Sequence, residues 1–316
     1  MNYFIVALLG VLFSFKLWLL FKTKRCKSKV SLVGKTAIVT GANTGMGFET
    51  ALDFAHRGAK VILACMDSAD GESAKNRIIS ITNNPNVVVK LLDLSSLTSV
   101  RNFAKDINHN EKRLDILVNN AGVLSAASET TEDGLEMTMQ INYFAPFLLT
   151  ILLVDLLKRS APSRIVNVSS ALAMFAHLDI NNLNKYQGTV KVYRNSKLCL
   201  IYFTKELALR LKSSKVSVFS VHPGVVQTQI FNNMKGFKKI LLEFCYIFYF
   251  KTPEEGAQSQ IYTAVENYLE PFTGEHFSEC QVECAYRTAR SKTLQKKIWE
   301  KSQELVKLKA DELLKL

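Results

Sequence analysis

The chain has 316 residues, of which 48% are hydrophobic and 22% charged, and a formal net charge of +12. That hydrophobic content excludes a disordered chain, and a multi-spanning membrane protein would need several long apolar runs. The length suits one large α/β domain or two smaller ones. The positive charge sits at the ends. Residues 1–31 hold six basic and no acidic groups, residues 287–316 hold nine basic and four acidic, and the body between them is nearly neutral at +1. A nucleic-acid surface needs a basic stripe on the folded body, so no nucleic-acid partner is expected.

The N-terminal run Tyr3 to Phe21 spans 19 residues, broken among strongly polar groups only by Ser14 and Lys16. As a helix it would be about 29 Å long, close to the hydrocarbon thickness of a bilayer. Lys16 lies near one end, where its ammonium can snorkel to the interface. A cleaved leader would need a basic start and a small-residue cleavage site. The basic cluster that follows (Lys22, Lys24, Arg25, Lys27, Lys29) marks the cytosolic side. We expect a membrane anchor and basic flank over 1–28, with a helix lying in the interface or packed on the body as the alternative. The six cysteines, Cys26, Cys65, Cys199, Cys245, Cys280 and Cys284, are scattered. Their spacing argues against a zinc site or a disulfide framework; reduced thiols and no metal are expected.

From Lys35 onward, short β-branched runs alternate with helical segments. Residues 36–40, 60–64, 86–92, 114–118, 164–168 and 216–221 read as buried strands, and 47–57, 96–109 and 189–211 as crossover helices. Continuous apolar strands indicate a parallel sheet covered on both faces, so the expected class is a doubly wound α/β fold. Two segments stand apart: the apolar, aromatic stretch Phe237–Phe250, and a basic amphipathic tail, Ala289–Leu316, with Leu294, Ile298, Leu305 and Leu308 at helical spacing. The first has the aromatic content of a lipophilic substrate cover or a bilayer contact, or of plain core packing. The second is expected either to pack on the body or to lie on anionic lipid.

The first strand runs into Thr40-Gly-Ala-Asn-Thr-Gly-Met-Gly47 and then a helix. Glycines at 41, 45 and 47 permit a tight turn, and free N–H groups at a helix start can hold a pyrophosphate. Asp93 and Asn119-Asn120-Ala121-Gly122 follow the third and fourth strands, at the sheet edge where ligands bind. Asp93 is a candidate acceptor for an adenine amino group, or part of a helix cap. Asn119, Asn120 and Gly122 either shape the cleft or form a tight turn. Ser169 and Ser170 end the fifth strand, and Tyr193 and Lys197 lie four residues apart on one predicted helix face. An ammonium beside a phenol favours the phenolate, so such a Tyr can exchange a proton with a substrate oxygen during nicotinamide chemistry.

On these motifs, together with Leu92-Asp-Leu-Ser95, Gln140-Ile-Asn-Tyr143, His222-Pro-Gly-Val-Val226 with Thr228, and Thr252-Pro-Glu-Glu-Gly-Ala257, the chain resembles the short-chain dehydrogenase/reductase superfamily. Within it, the likeness is to the membrane-anchored retinol dehydrogenase-like group, over about residues 30–310. The resemblance implies a Rossmann-type, mainly parallel sheet of about seven strands in a single domain over 29–316, with a substrate-lobe insertion at 233–252. It implies four catalytic residues. Asn142 would hold a proton-relaying water, Ser170 would polarise the carbonyl or alcohol, and Tyr193 would be the acid/base. Lys197 would bind the nicotinamide ribose and lower the Tyr pKa. Ser169 and Ser196 read as bystanders. It further implies cofactor contacts from Gly41, Asn43, Thr44, Gly45, Met46, Gly47, Met66, Asp93, Leu94, Asn120, Ala121, Gly122, Tyr193, Lys197, Pro223, Gly224 and Thr228.

Two positions depart from the group. Met66 stands where the relatives usually place Arg, and Gln227 where they often carry Arg. No carboxylate occupies the NAD-type position, since Asp67 falls two residues beyond Cys65, while Lys60 and Arg57 are basic groups near the second strand. The expectation is NADP(H), with NAD(H) as the alternative. The expected activity interconverts a hydrophobic alcohol with its aldehyde or ketone: retinoid, steroid or lipid carbonyl. The expected location is a membrane, that of the endoplasmic reticulum, with the body in the cytosol. The competing reading is a catalytically idle, membrane-tethered binding protein on the same fold. Oligomeric state is not legible.

Overall fold

In a computed structural model, residues 23–125, 127–226, 250–283, 286–310 and 312 are described. Residues 1–22 of the expected anchor and flank (1–28), Gln227, Thr228, residues 233–249 of the expected insertion, Cys245 and Cys284 lie outside them.

Among the described residues, eight strands form one sheet in the order β3-β2-β1-β4-β5-β6-β7-β8. They are β1 (Thr36–Thr40), β2 (Lys60–Cys65), β3 (Val87–Leu91), β4 (Ile116–Asn119), β5 (Ser163–Val168), β6 (Val216–Val221), β7 (His276–Ser278) and β8 (Gln281–Glu283). All neighbours pair in parallel except β7 and β8, which form an antiparallel hairpin. That hairpin raises the strand number above the expected seven. Its strands are three residues each, too short to show a hydrophobic period, and its turn residues Glu279 and Cys280 both adopt positive φ (49° and 53°) without a glycine to announce it.

The helices are α1 (Gly45–His56), α2 (Ser68–Thr82), α3 (Leu97–Asn110), α4 (Ala145–Arg159), α5 (Thr189–Arg210), α6 (Pro253–Val265) and α7 (Lys292–Leu305). Their starts are written locally. Asp67, Ser96 and Ser291 accept backbone N–H groups of α2, α3 and α7, and Thr252 forms a reciprocal capping box with Glu255 on α6. Alternate strand residues feed two cores. Ile38, Leu117, Ile165 and Val218 face α3, α4, α5 and α7; Val39, Val118, Val166 and Phe219 face α1, α2 and α6.

The rod Met137–Arg159 is the one described helical run long and apolar enough to cross a membrane, but 83% of its apolar window is buried inside the protein. It is the central core rod. The C-terminal helix is shorter than the 289–316 expected. A 3-10 turn (Arg287–Ala289) precedes it, and Lys307, at φ 50°, follows its end. Its apolar face is turned inward rather than to lipid. Trp299 is buried, stacks on Phe203 of α5 (5.9 Å) and meets Phe147 of α4 edge-on (5.2 Å). The basic flank is also partly committed to the body: Lys24 Nζ donates to Gln281 (2.5 Å) and Arg25 pairs with Glu254 (2.9 Å).

Candidate active site

The glycine turn leaves the carboxyl end of β1. Gly41 and Gly45 hold positive φ (63° and 59°), which only glycine adopts without strain. Gly47 is needed for a different reason: a Cβ there would lie 2.2 Å from the Gly41 carbonyl oxygen and 2.6 Å from Asn120 Nδ2. A Cβ at Gly45 would meet nothing within 4 Å, so that side of the turn is open. Thr44, the N-cap of α1, makes no side-chain cap, unlike the residues that begin α2, α3, α6 and α7. An open glycine turn beneath an uncapped helix start fits the pyrophosphate of a dinucleotide.

Asn120 and Ala121 brace this turn. Both backbone N–H groups donate to Thr40 Oγ1 (3.0 Å each), and Asn120 Nδ2 donates to the Thr40 carbonyl (2.8 Å). Gln260 of α6 adds a brace that sequence reasoning missed, donating to the Met46 carbonyl (3.1 Å) and to Asn120 Oδ1 (3.3 Å). No local signal could have found it, since it is 214 residues from Met46. Asn119 has a different role. Its buried amide donates to Thr150 and Asn167, tying β4 to α4 and β5 beneath the site.

Just past the carboxyl end of β2, Met66 is 74% exposed. Burial pushes the neighbouring Cys65 thiol up to about 11, so it stays neutral. Asn43 Nδ2 reaches Asp70 (3.5 Å), and Asp67 caps α2. Lys60 and Arg57 are at the other end of the sheet. Lys60 opens β2 and pairs with Glu111, and Arg57 binds Asp53 and the carbonyls of Ser28 and Val30. Neither is available for a cofactor phosphate. Asp93 Oδ1 accepts from Ser95 N and Oγ (2.8 and 2.7 Å), a local turn bond. Leu94 is buried in the core.

The sheet brings Ser170, Tyr193 and Lys197 together. Ser170 follows β5; its Oγ accepts the Leu172 N–H (3.2 Å), and its hydroxyl lies near enough to the Tyr193 phenol to favour the phenolate. Ser169 points away, its hydroxyl buried and donating to the Lys197 carbonyl (2.7 Å). Along α5, Lys197 Nζ stands 5.8 Å from the Tyr193 ring centre and donates to the Val168 carbonyl (2.9 Å). Burial pulls Lys197 down to about 8. The expected lowering of the Tyr193 pKa is not the dominant effect: desolvation raises the phenol, and the Ser170 hydrogen bond pulls it partly back.

Asn142 lies in a π turn (Gln140–Phe144), a distortion frequent at functional sites. Its amide is engaged on every side. Oδ1 accepts from Val123 N (2.7 Å), and Nδ2 donates to the Val123 carbonyl (2.9 Å) and to Ser196 Oγ (3.1 Å). Ser196 in turn donates to the Tyr193 carbonyl (2.8 Å), so it links Asn142 to α5 rather than standing by. Gly122 fills the space between them, because a Cβ there would lie 3.1 Å from Lys197 Nζ and 3.3 Å from Asn142 Oδ1. Beyond β6, Gly224 (φ 87°) donates its N–H to His222 Nδ1 (3.0 Å), which shapes the Pro223–Gly224 turn.

A family profile described as short chain dehydrogenase matches residues 35–238. Retinol dehydrogenase 11 of Mus musculus is 45% identical over 288 residues, 90% of each chain. The chain belongs to the short-chain dehydrogenase family. It lies with the retinol dehydrogenase-like members: retinol dehydrogenase 13 of Mus musculus is 43% identical over 290 residues, 90% of this chain and 87% of that one. Among solved structures, an uncharacterized protein from Mycobacterium paratuberculosis superposes with a TM-score of 0.72 at 29% identity, covering 88% of this chain and 95% of that one. A Pseudomonas aeruginosa RhlG/NADP active-site complex gives 0.65 at 27% identity, with 78% and 95% coverage. As a member of this family the protein is an oxidoreductase that uses a nicotinamide dinucleotide.

Proposed function

We propose that the protein interconverts a hydrophobic alcohol and its aldehyde or ketone, with NADP(H) favoured over NAD(H). The observation that carries this reading is the Ser170–Tyr193–Lys197 arrangement at the open edge of the sheet. A nicotinamide bound there would supply or accept the hydride. In the reductive direction the Tyr193 hydroxyl gives its proton to the developing alkoxide, and the Ser170 hydroxyl donates a hydrogen bond to the same oxygen. Lys197, held by the Val168 carbonyl, favours the phenolate that remains. Asn142 and Ser196 fix the α5 backbone that carries Tyr193. The glycine turn, Asn43, Thr44 and Met46 would hold the phosphates and adenosine ribose, and Pro223 and Gly224 would border the nicotinamide.

The substrate class is supported by the side chains left exposed next to these residues. Leu172, Met174 and Phe175 follow Ser170, Tyr186 and Val190 precede Tyr193, and Val225 follows Gly224. Exposed apolar side chains on the segments that carry Ser170, Tyr193 and Gly224 suit a lipophilic carbonyl; retinoids are the class named by the relatives. The NADP(H) preference is supported by the RhlG complex and weakened by Met66 in place of Arg. Residues 1–28, as anchor and basic flank, would hold the protein in the endoplasmic reticulum membrane, with the domain over 29–316 on the cytosolic side. The decisive experiment is turnover of retinal, steroid ketones and alkanals with each cofactor by wild type and Tyr193→Phe. The variant is expected to lose at least about 10²-fold in kcat; turnover equal to wild type would refute the acid/base assignment.

A further inference from the structure

Behind the Pro223–Gly224 turn lies a half-buried polar chain that the proposed chemistry does not use. Gly224 N–H donates to His222 Nδ1 (3.0 Å), so His222 must keep Nδ1 free of a proton and carry its hydrogen on Nε2. That Nε2 stands 3.4 Å from Glu283 Oε2, on the last residue of β8. The same carboxylate oxygen accepts from the Tyr286 hydroxyl (3.2 Å) and stands 3.7 Å from His276 Nε2. His276 stacks on His222 with ring centres 6.0 Å apart, and its Nδ1 meets Ser220 Oγ (2.9 Å). These contacts fix two protons: Tyr286 donates to Glu283, and His222 carries its hydrogen on Nε2, the nitrogen that faces the Glu283 carboxylate at 3.4 Å. Both imidazoles are neutral. Burial enforces this, holding His222 at about 4 and His276 at about 3.

The groups facing the pair are Glu283, Tyr286 and Glu279 on the hairpin side, Lys251 beside the turn, and Lys205 on α5. The hairpin also holds the other side of the turn. Lys251 N–H donates to the Val225 carbonyl (2.8 Å), its stem packs 3.1 Å from where a Gly224 Cβ would be, and its ammonium pairs with Glu279.

We propose that Glu283 is a positioning residue for the cofactor: it fixes the His222 tautomer whose Nδ1 holds the Gly224 N–H, and so sets the turn that receives the nicotinamide end of the dinucleotide. This inference rests on the nicotinamide-dependent reading above. A carboxylate is needed because it is acceptor-only when ionised, so each neighbouring imidazole and phenol must present a hydrogen to it. Without it, His222 is free to place its hydrogen on Nδ1, which opposes the Gly224 N–H.

The test is binding, with no turnover required. The full chain in detergent is titrated with NADPH and NADH by nicotinamide fluorescence. It is then titrated with 2′-phospho-ADP-ribose and ADP-ribose, which lack the nicotinamide, by calorimetry. Glu283→Ala is expected to weaken the dinucleotides about tenfold and to leave the fragments within about twofold. His222→Asn in the Glu283→Ala background is expected to restore dinucleotide binding to within about threefold of wild type, because an Asn amide oxygen accepts the Gly224 N–H without a tautomer to set. Dinucleotide binding unchanged in Glu283→Ala, or fragments weakened as much as dinucleotides, would overturn the proposal, the latter by showing a general loss of fold. A selective loss that His222→Asn does not repair would overturn the tautomer account. Wild-type protein that binds no dinucleotide would overturn the nicotinamide reading itself, and with it this one.

Discussion

Replacing Gly122 with alanine isolates the packing behind the proposed acid/base pair. Gly122 is not held at a positive φ, so alanine brings no backbone strain there. The new methyl would stand 3.1 Å from Lys197 Nζ, 3.3 Å from Asn142 Oδ1 and 3.8 Å from Lys197 Cε. Ordinary contact for carbon is about 3.5–4.0 Å, so both polar groups must retreat by about half an ångström. Neither has room to do so freely. Lys197 Nζ is held by the Val168 carbonyl at 2.9 Å, and the Asn142 amide is closed on Val123 and Ser196. A displacement of about 1 Å at a reacting group costs about 10²-fold in rate, so half of that predicts a loss of about tenfold in kcat. The unfolded chain loses entropy on Gly→Ala, a gain of about 0.4–1 kcal/mol that offsets the crowding, so Tm should move by only a few degrees. The assay is steady-state reduction of a model carbonyl alongside a thermal melt. A variant with kcat within twofold of wild type and an unchanged Tm would refute the claim that this glycine exists to admit Lys197 and Asn142.

Burial lowers Lys197 to about 8 in the folded protein, while the unfolded chain titrates near the ordinary lysine value, about 10.4. Between those two pH values the unfolded state binds more protons than the folded one, so stability from this group rises as pH increases through the window. The Tm difference between wild type and Lys197→Met across pH 7–10.5 should therefore shift in favour of wild type above pH 8. Met66→Arg places a guanidinium at the exposed position after β2, and should tighten NADPH relative to NADH by about tenfold in competitive binding. Trp299→Ala removes the ring stacked on Phe203 and wedged against Phe147; urea unfolding should show a loss of about 3–5 kcal/mol.

Much of this protein is legible in short stretches of its chain. The buried strands announce themselves as β-branched runs, and most helix starts carry their own caps. Gly41, Gly45 and Gly47 mark a turn by their residue type, while Tyr193 and Lys197 share a helix face because four residues make about one turn. Each of these signals lies within a few residues of its cause.

What the sequence left open depends on which distant segments the sheet order makes neighbours. Lys60 and Arg57 are near Met66 along the chain, yet a β-strand runs about 3.3 Å per residue, and the length of β2 carries them to the opposite edge of the sheet. Gly122 looks like part of a turn motif until α5 brings Lys197 against it. Ser196 looks idle until the π turn presents Asn142 to it. Glu283, on a three-residue strand with no periodicity to read, reaches His222 only because β7 pairs beside β6. Residue type and spacing singled out the groups proposed to bear the chemistry, because those preferences are set by neighbours along the backbone. Their partners were decided by sheet pairing and helix packing, since those contacts join residues that no local pattern relates.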